Sequence, residues 1–233
     1  MVDPLVEWTI KELEKKIDPH RKKKSESYYP STMKVMGVKV PDQRAVMKEL
    51  KKKLKGRSDG EIIDLCKELV ETDIFECQQV AFDMIGRSKK LVKKLEKRDI
   101  SDLGKGLDNW VSVDTFSSMI AGPAWRDGQI PHEMVTGWAR SDDMWRRRSA
   151  LVCTIALNQK ARGGSGDTDR TLEICSMLID DHDDMVAKAM SWALRELSKR
   201  DRSSVENFLE GHQDHLAPRV NREVRKKLLT GRK

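Results

Sequence analysis

The chain has four cysteines, two tyrosines and four phenylalanines among 233 residues, and no long apolar run. Cys66, Cys77, Cys153 and Cys175 show no CxxC spacing and stand among apolar neighbours. They read as reduced core thiols of a cytoplasmic protein, with neither a disulfide frame nor a zinc site. No stretch reaches the roughly 18 consecutive apolar residues of a membrane span. The first residues, MVDPLVEWTIKELEKK, carry acids where a signal peptide needs a basic start and an apolar run, so secretion is not expected. The five histidines, His20, His132, His182, His212 and His215, are scattered without ligand spacing, and no metal or cofactor is expected. The GGSG run at 163–166 lacks the preceding strand and following lysine of a phosphate loop and reads as a linker.

What the chain does have is charge. Charged residues make up 36% and hydrophobic residues 38%, a balance that favours thin helical layers over a thick α/β core. Lys and Arg number 45 against 38 Asp and Glu, a net +7. The positive charge is clustered at 20–24, 48–55, 87–98 and 221–233, while acids gather around 61–76 and 180–184. Such polarisation fits a nucleic-acid partner, although solvated lysine faces are common on other proteins too.

Strand signals are nearly absent, whereas apolar residues recur at i, i+3, i+4 spacing. Ile62, Leu65, Leu69 and Val70 form one such stripe; Leu172, Cys175, Met177, Leu178 and Ile179 form another. Pro19, Pro30, Pro41, Gly122-Pro123, Pro131, Pro218 and the segments 55–60 and 163–169 punctuate the pattern. The spacing predicts about ten to twelve short helices, an all-α chain, with Gly163 to Asp169 as its longest flexible loop.

The helices repeat. Asp73, Asp108 and Asp142, read as N-caps of equivalent helices, are 35 and 34 residues apart, and a fourth copy starts near Asp180. Ala81, Phe116 and Ala150 then take equivalent inward positions. Helix pairs at this period predict an α-solenoid, whose concave side suits an extended partner and, where basic, a duplex nucleic acid. In this register Asp114 and Arg148 are equivalent, and Trp110 lies one turn before Asp114 on the same face. The pattern alone also admits Trp110 as core and Asp114 as a partner for a lysine.

Four blocks carry a resemblance: DNWVSVDTFSSMI (108–120), SDDMWRRRSAL (141–151), VAKAMSWALRELSK (186–199) and SYYPSTMKVMGVKVPDQRAVMKEL (27–50). Together they resemble the DNA alkylation repair family, the AlkD-like alkylpurine DNA glycosylases. The resemblance implies a right-handed α-solenoid of HEAT-like helix pairs with a concave basic groove, one domain spanning 1–233. It implies a monomer acting on double-stranded DNA, where it hydrolyses the N-glycosidic bond of N3- and N7-alkylated purines. The family's lesion-facing aromatic pair corresponds to Trp110 and Trp192, its catalytic carboxylate to Asp114 and its backbone-clamping arginine to Arg148. Tyr28 matches the N-terminal aromatic, and Lys188 falls opposite Arg148 with Trp192 one turn on.

These residue types suit that chemistry. A cationic alkylpurine leaves without protonation, so the protein need only stabilise an oxocarbenium-like sugar and orient a water. Indole faces can hold the cation at about 0.5–2 kcal/mol each, and an arginine can grip a phosphate in bidentate fashion. The chain departs from the family at Asn109, Val111, Asp184 and Met185, where aromatic or acidic residues are usual; Asp184 adds negative charge near a DNA-facing surface. The rival readings are a non-catalytic HEAT-like solenoid that binds DNA by shape or branching and, more distantly, a protein-binding scaffold.

Overall fold

The computed structural model describes residues 2–29 and 31–231. Pro30 and the last two residues of the C-terminal basic cluster lie outside the described residues. Fifteen α-helices and no strands occur among them, with one π-turn and one 3-10 turn. The count exceeds ten to twelve because very short helices, such as Lys89–Val92 and Gly122–Arg126, interrupt what reads as linker. The chain divides into two compact units, residues 1–116 and 117–233.

The first unit holds α1 (Pro4–Glu14), α2 (Pro19–Tyr28), α3 (Val40–Lys53), α4 (Asp59–Glu71), α5 (Phe75–Gly86), α6 (Lys89–Val92), α7 (Lys97–Leu103) and α8 (Trp110–Phe116). Helix α4 packs on α5 and α7, α5 on α8, and α1 on α3. Starts are set by local chemistry: Asp3 and Asp18 cap α1 and α2 ahead of a proline in the first turn, and Ser58 with Glu61 forms a full capping box on α4. Helix α5 is buried along most of its length, and Ala81 and Phe116 are fully covered.

The second unit begins with a π-turn (Ser117–Ala121), followed by α9 (Gly122–Arg126), α10 (His132–Ala139), α11 (Met144–Asn158), α12 (Thr168–Met177), α13 (Asp184–Leu197), α14 (Arg202–Gly211) and α15 (Pro218–Thr230). Helix α11 is its centre, covered from Arg148 to Asn158 and packed against α9, α10 and α13; α13 also packs on α15. Gly122-Pro123 does not end a helix here. Proline has no amide to donate and its ring crowds the preceding turn, and a π-turn supplies the extra residue that absorbs both. Gly122 is needed for closeness, since a Cβ there would stand 2.6 Å from the Cys153 carbonyl oxygen.

The helix starts recur with a shifted register. Helices α5, α8, α11 and α13 begin at Phe75, Trp110, Met144 and Asp184, so the mid-thirties-to-forty period holds. The caps, however, fall one residue later than Asp73, Asp108 and Asp142, at Ile74, Asn109 and Asp143. Each of the three aspartates is engaged elsewhere. Asp73 takes a left-handed φ of 53° and gives its carbonyl to Lys34 N, Asp108 turns to the Ser31–Thr32 loop, and Asp142 gives its carbonyl to Arg147.

The 163–169 loop is also not the slack segment its composition suggests. Gly166 N donates to Leu157 O, Asp167 N to Asn158 Oδ1, and Arg200 Nη2 to Gly164 O. A Cβ on Gly164 would meet Leu157 O at 2.5 Å. Gly164→Ala is therefore expected to lower stability by about 1–3 kcal/mol through backbone displacement, measured as a lower urea midpoint with unchanged m-value.

Candidate nucleic-acid interface

In the first unit a strap between α2 and α3, described over residues 31–39, decides where the aromatic side chains stand. Its middle pairs with the start of α5: Lys34 N donates to Asp73 O at 2.9 Å and Phe75 N to Lys34 O at 3.0 Å. Its far end is gathered by one carboxylate. Glu76, 1% exposed, accepts from Met36 N at 2.9 Å, Gly37 N at 2.7 Å and Val38 N at 3.1 Å. The fan needs Gly37, which adopts φ +85° and would place a Cβ 2.5 Å from Lys22 N.

The near end of the strap is gathered by Asp108. Its carboxylate accepts from Ser31 Oγ and Thr32 N at 2.5 Å each and from Thr32 Oγ1 at 2.7 Å. Burial pushes the Asp108 carboxyl up, and the hydrogen bonds from Ser31, Thr32 and Asn109 outweigh it, leaving the pKa below its ordinary value. A depressed folded pKa stabilises the native state above the unfolded value of about 3.9 and loses that contribution as pH falls through the folded value. Asp108→Ala is accordingly expected to destabilise by about 1–3 kcal/mol at pH 7 and to narrow its gap from wild type in acid. Thermal unfolding at both pH values reads this.

With the strap held at both ends, Tyr28 and Trp110 meet edge to face, ring centres 5.5 Å apart at 81°. Tyr28 stays 66% exposed, while its neighbour Tyr29 stacks on Phe75 at 4.7 Å and is half-buried, which pushes its hydroxyl pKa up. Trp110 opens α8, and the half-buried Asp114 follows one turn later. Three of the expected residues therefore cluster in this unit: Tyr28, Trp110 and Asp114. Glu76 and Asp108 in its anchoring role escape a sequence reading, since their partners lie about 40 and 77 positions away.

The second unit carries Arg148 on α11 and Lys188 and Trp192 on the adjoining α13. Arg148 is only 5% exposed, and its Nη1 donates to the Met185 carbonyl at the start of α13. Lys188 and Trp192 are half-buried one turn apart on a single face. Asp184 does not stand as an isolated acid: its Oδ2 lies 2.6 Å from Lys188 Nζ and its Oδ1 3.1 Å from Arg219 Nη2. The Lys188 ammonium beside it holds its carboxyl below the usual carboxylate range.

Of the remaining tryptophans, Trp145 is half-buried in the first turn of α11 and the other three are packing residues. Trp125 and Trp138 are buried, and Trp8 lies under Lys53. All four cysteines are covered; burial pushes the thiols of Cys66, Cys77 and Cys175 up to about 12, far from nucleophilic use. Among the described residues no three His, Cys, Asp or Glu side chains gather as metal ligands would, and no helix is long and apolar enough to cross a membrane.

Comparison with known proteins bears on this arrangement. No curated protein matches the chain. Among solved structures, one of a predicted DNA alkylation repair enzyme from Enterococcus faecalis is similar, at 21% identity and a TM-score of 0.72. The match covers 92% of this chain and 98% of that one, a likeness of fold. The family model for DNA alkylation repair enzymes matches residues 9–228, across both units, and the chain thus belongs to the DNA alkylation repair enzyme family.

Proposed function

We propose that the protein is a monofunctional DNA glycosylase that hydrolyses the N-glycosidic bond of cationic N3- and N7-alkylated purines in duplex DNA. The observation that carries this reading is the exposed Tyr28 ring set edge-on against Trp110, with the Asp114 carboxylate one turn further along the same helix. The helix pairs within each unit and the recurring helix starts support a HEAT-like repeat. The span of the family match supports treating residues 1–233 as one functional domain.

An alkylated purine already carries the positive charge that acid would otherwise supply, so its bond to the sugar is weak. As the bond lengthens, positive charge builds on the deoxyribose. In the proposed mechanism the Asp114 carboxylate stabilises that charge and orients the attacking water. Trp110 and Trp192 hold the lesion and its sugar through their ring faces, and Tyr28 buttresses Trp110. Arg148, its guanidinium oriented by the Met185 carbonyl, and Lys188 hold backbone phosphates. No lysine is called on as a nucleophile, so the strand stays intact after the base departs. A cytoplasmic monomer that reaches its lesions without a cofactor fits this scheme.

Incubation with N-methylated duplex DNA tests it. Free 7-methylguanine and 3-methyladenine should appear, with strands that break only after alkali. Direct strand cleavage would contradict the monofunctional mechanism, and duplex binding without base release would favour the shape-recognising solenoid.

A further inference from the structure

The partly exposed stripe of α13 carries Asp184, Lys188 and Trp192, with the more deeply set Arg195 at its end, and α15 packs beside it. Two carboxylates run between the cations of these helices. Asp184 lies between Lys188 and Arg219, at 2.6 and 3.1 Å. Glu223 lies between Arg219 and Arg195, at 3.1 and 3.7 Å, and also accepts from Ser191 Oγ at 2.7 Å. Lys188, Asp184, Arg219, Glu223 and Arg195 thus form one row of alternating sign. Beside it Arg195, Arg222, Glu223 and Lys226 line a shallow hollow of about 340 Å³.

The two carboxylates differ in a way that matters. Glu223 is held by a serine hydroxyl as well as by arginines, and Arg195, its side chain 11% exposed, is further fixed by donating to Ser191 O at 3.0 Å. Asp184 is more than half exposed, and the contacts of its side chain are those to Lys188 and Arg219. It is also the first residue of the 14-residue helix α13, where the partial positive charge of the helix end favours any anion. An oxyanion bridging an ammonium and a guanidinium at a helix N-terminus is the environment a DNA phosphate seeks.

We propose that Asp184 is a phosphate stand-in: in the unbound protein it holds Lys188 and Arg219 in register, and a backbone phosphate of duplex DNA displaces it and takes over both cations. Glu223 stays in place and keeps Arg195 and Arg219 aligned. The inference rests on the DNA-binding half of the proposed function and not on the excision chemistry. Asp184 is a positioning residue in this account. Its presence weakens binding to any duplex while keeping the cations ordered, so the protein releases undamaged DNA more readily.

The test is fluorescence anisotropy with an undamaged duplex across a salt series, using wild type, Asp184→Asn and Asp184→Ala. Both variants should bind about three- to fivefold tighter at about 50 mM salt. Their plots of log affinity against log salt should be steeper by about one, because in wild type the displaced Asp184 carboxylate takes up a cation from solution, which offsets one of the counterions that phosphate neutralisation releases. A purely structural role would shift the melting temperature and leave that slope alone. Equal or weaker binding by both folded variants, or an unchanged slope, overturns the proposal, as does a wild type that binds no duplex. Tighter, steeper binding by the variants alongside a wild type that releases no methylated base upholds it and removes the glycosylase reading alone.

Discussion

Asp114→Asn is expected to release 7-methylguanine from methylated duplex DNA about 10²–10³-fold more slowly than wild type, the loss that follows removal of one electrostatic contact to a transition state. The substitution keeps the shape of the side chain and the α8 backbone, and it removes only the charge. The amide still offers a carbonyl oxygen to a water, so orientation is partly retained; what disappears is the attraction for the cationic sugar. Because that charge exists only as the bond breaks, the loss falls on the chemical step. Duplex affinity should stay within a few-fold of wild type, since a carboxylate near phosphates does not contribute attraction to the ground state. Single-turnover base release, followed by chromatography of the free base, and anisotropy on the same duplex separate the two effects. Weaker binding with an unchanged rate would assign Asp114 to structure instead.

Glu76→Ala is expected to be the most damaging single change to folding, at about 3–5 kcal/mol. Three backbone amides, those of Met36, Gly37 and Val38, converge on a carboxylate that is almost wholly buried. Truncation leaves all three buried donors without their acceptor. Glu76→Gln keeps oxygen acceptance on one side and brings an amide donor against another donor, so it should fall between wild type and alanine. The strap these bonds hold carries Met33 and Val35 into a small cluster with Phe75, against which Tyr29 packs. Loosening it should therefore also free Tyr28 from Trp110. Urea unfolding of the three proteins measures the first effect, and base release at a temperature where each is folded measures the second.

The helical class and the spacing of the repeat were legible in the sequence because both depend on short-range periodicity. The inward positions expected from it, Ala81, Phe116 and Ala150, are all fully buried. The cap positions were displaced by one because an aspartate before a helix can serve an amide of its own turn or a distant loop, and composition does not say which. Asp108 chose Ser31 and Thr32. The Trp110–Asp114 pair could be found from a four-residue interval, whereas its contact with Tyr28 depends on a strap tied by partners some 40 to 77 residues away. Arg148 shows the same limit from the other side. Its type and register mark a cation, yet its burial against the Met185 carbonyl arises from the packing of α11 on α13, which no local pattern states.

The central claim is that this protein exploits a charge already present on the damaged base. Its most direct test compares, in wild-type protein, release of 7-methylguanine and of hypoxanthine from otherwise identical duplexes. The account predicts rapid loss of the cationic base and no measurable loss of the neutral one, since the proposed mechanism gives no residue the role of protonating a leaving purine. Comparable release of both would contradict it.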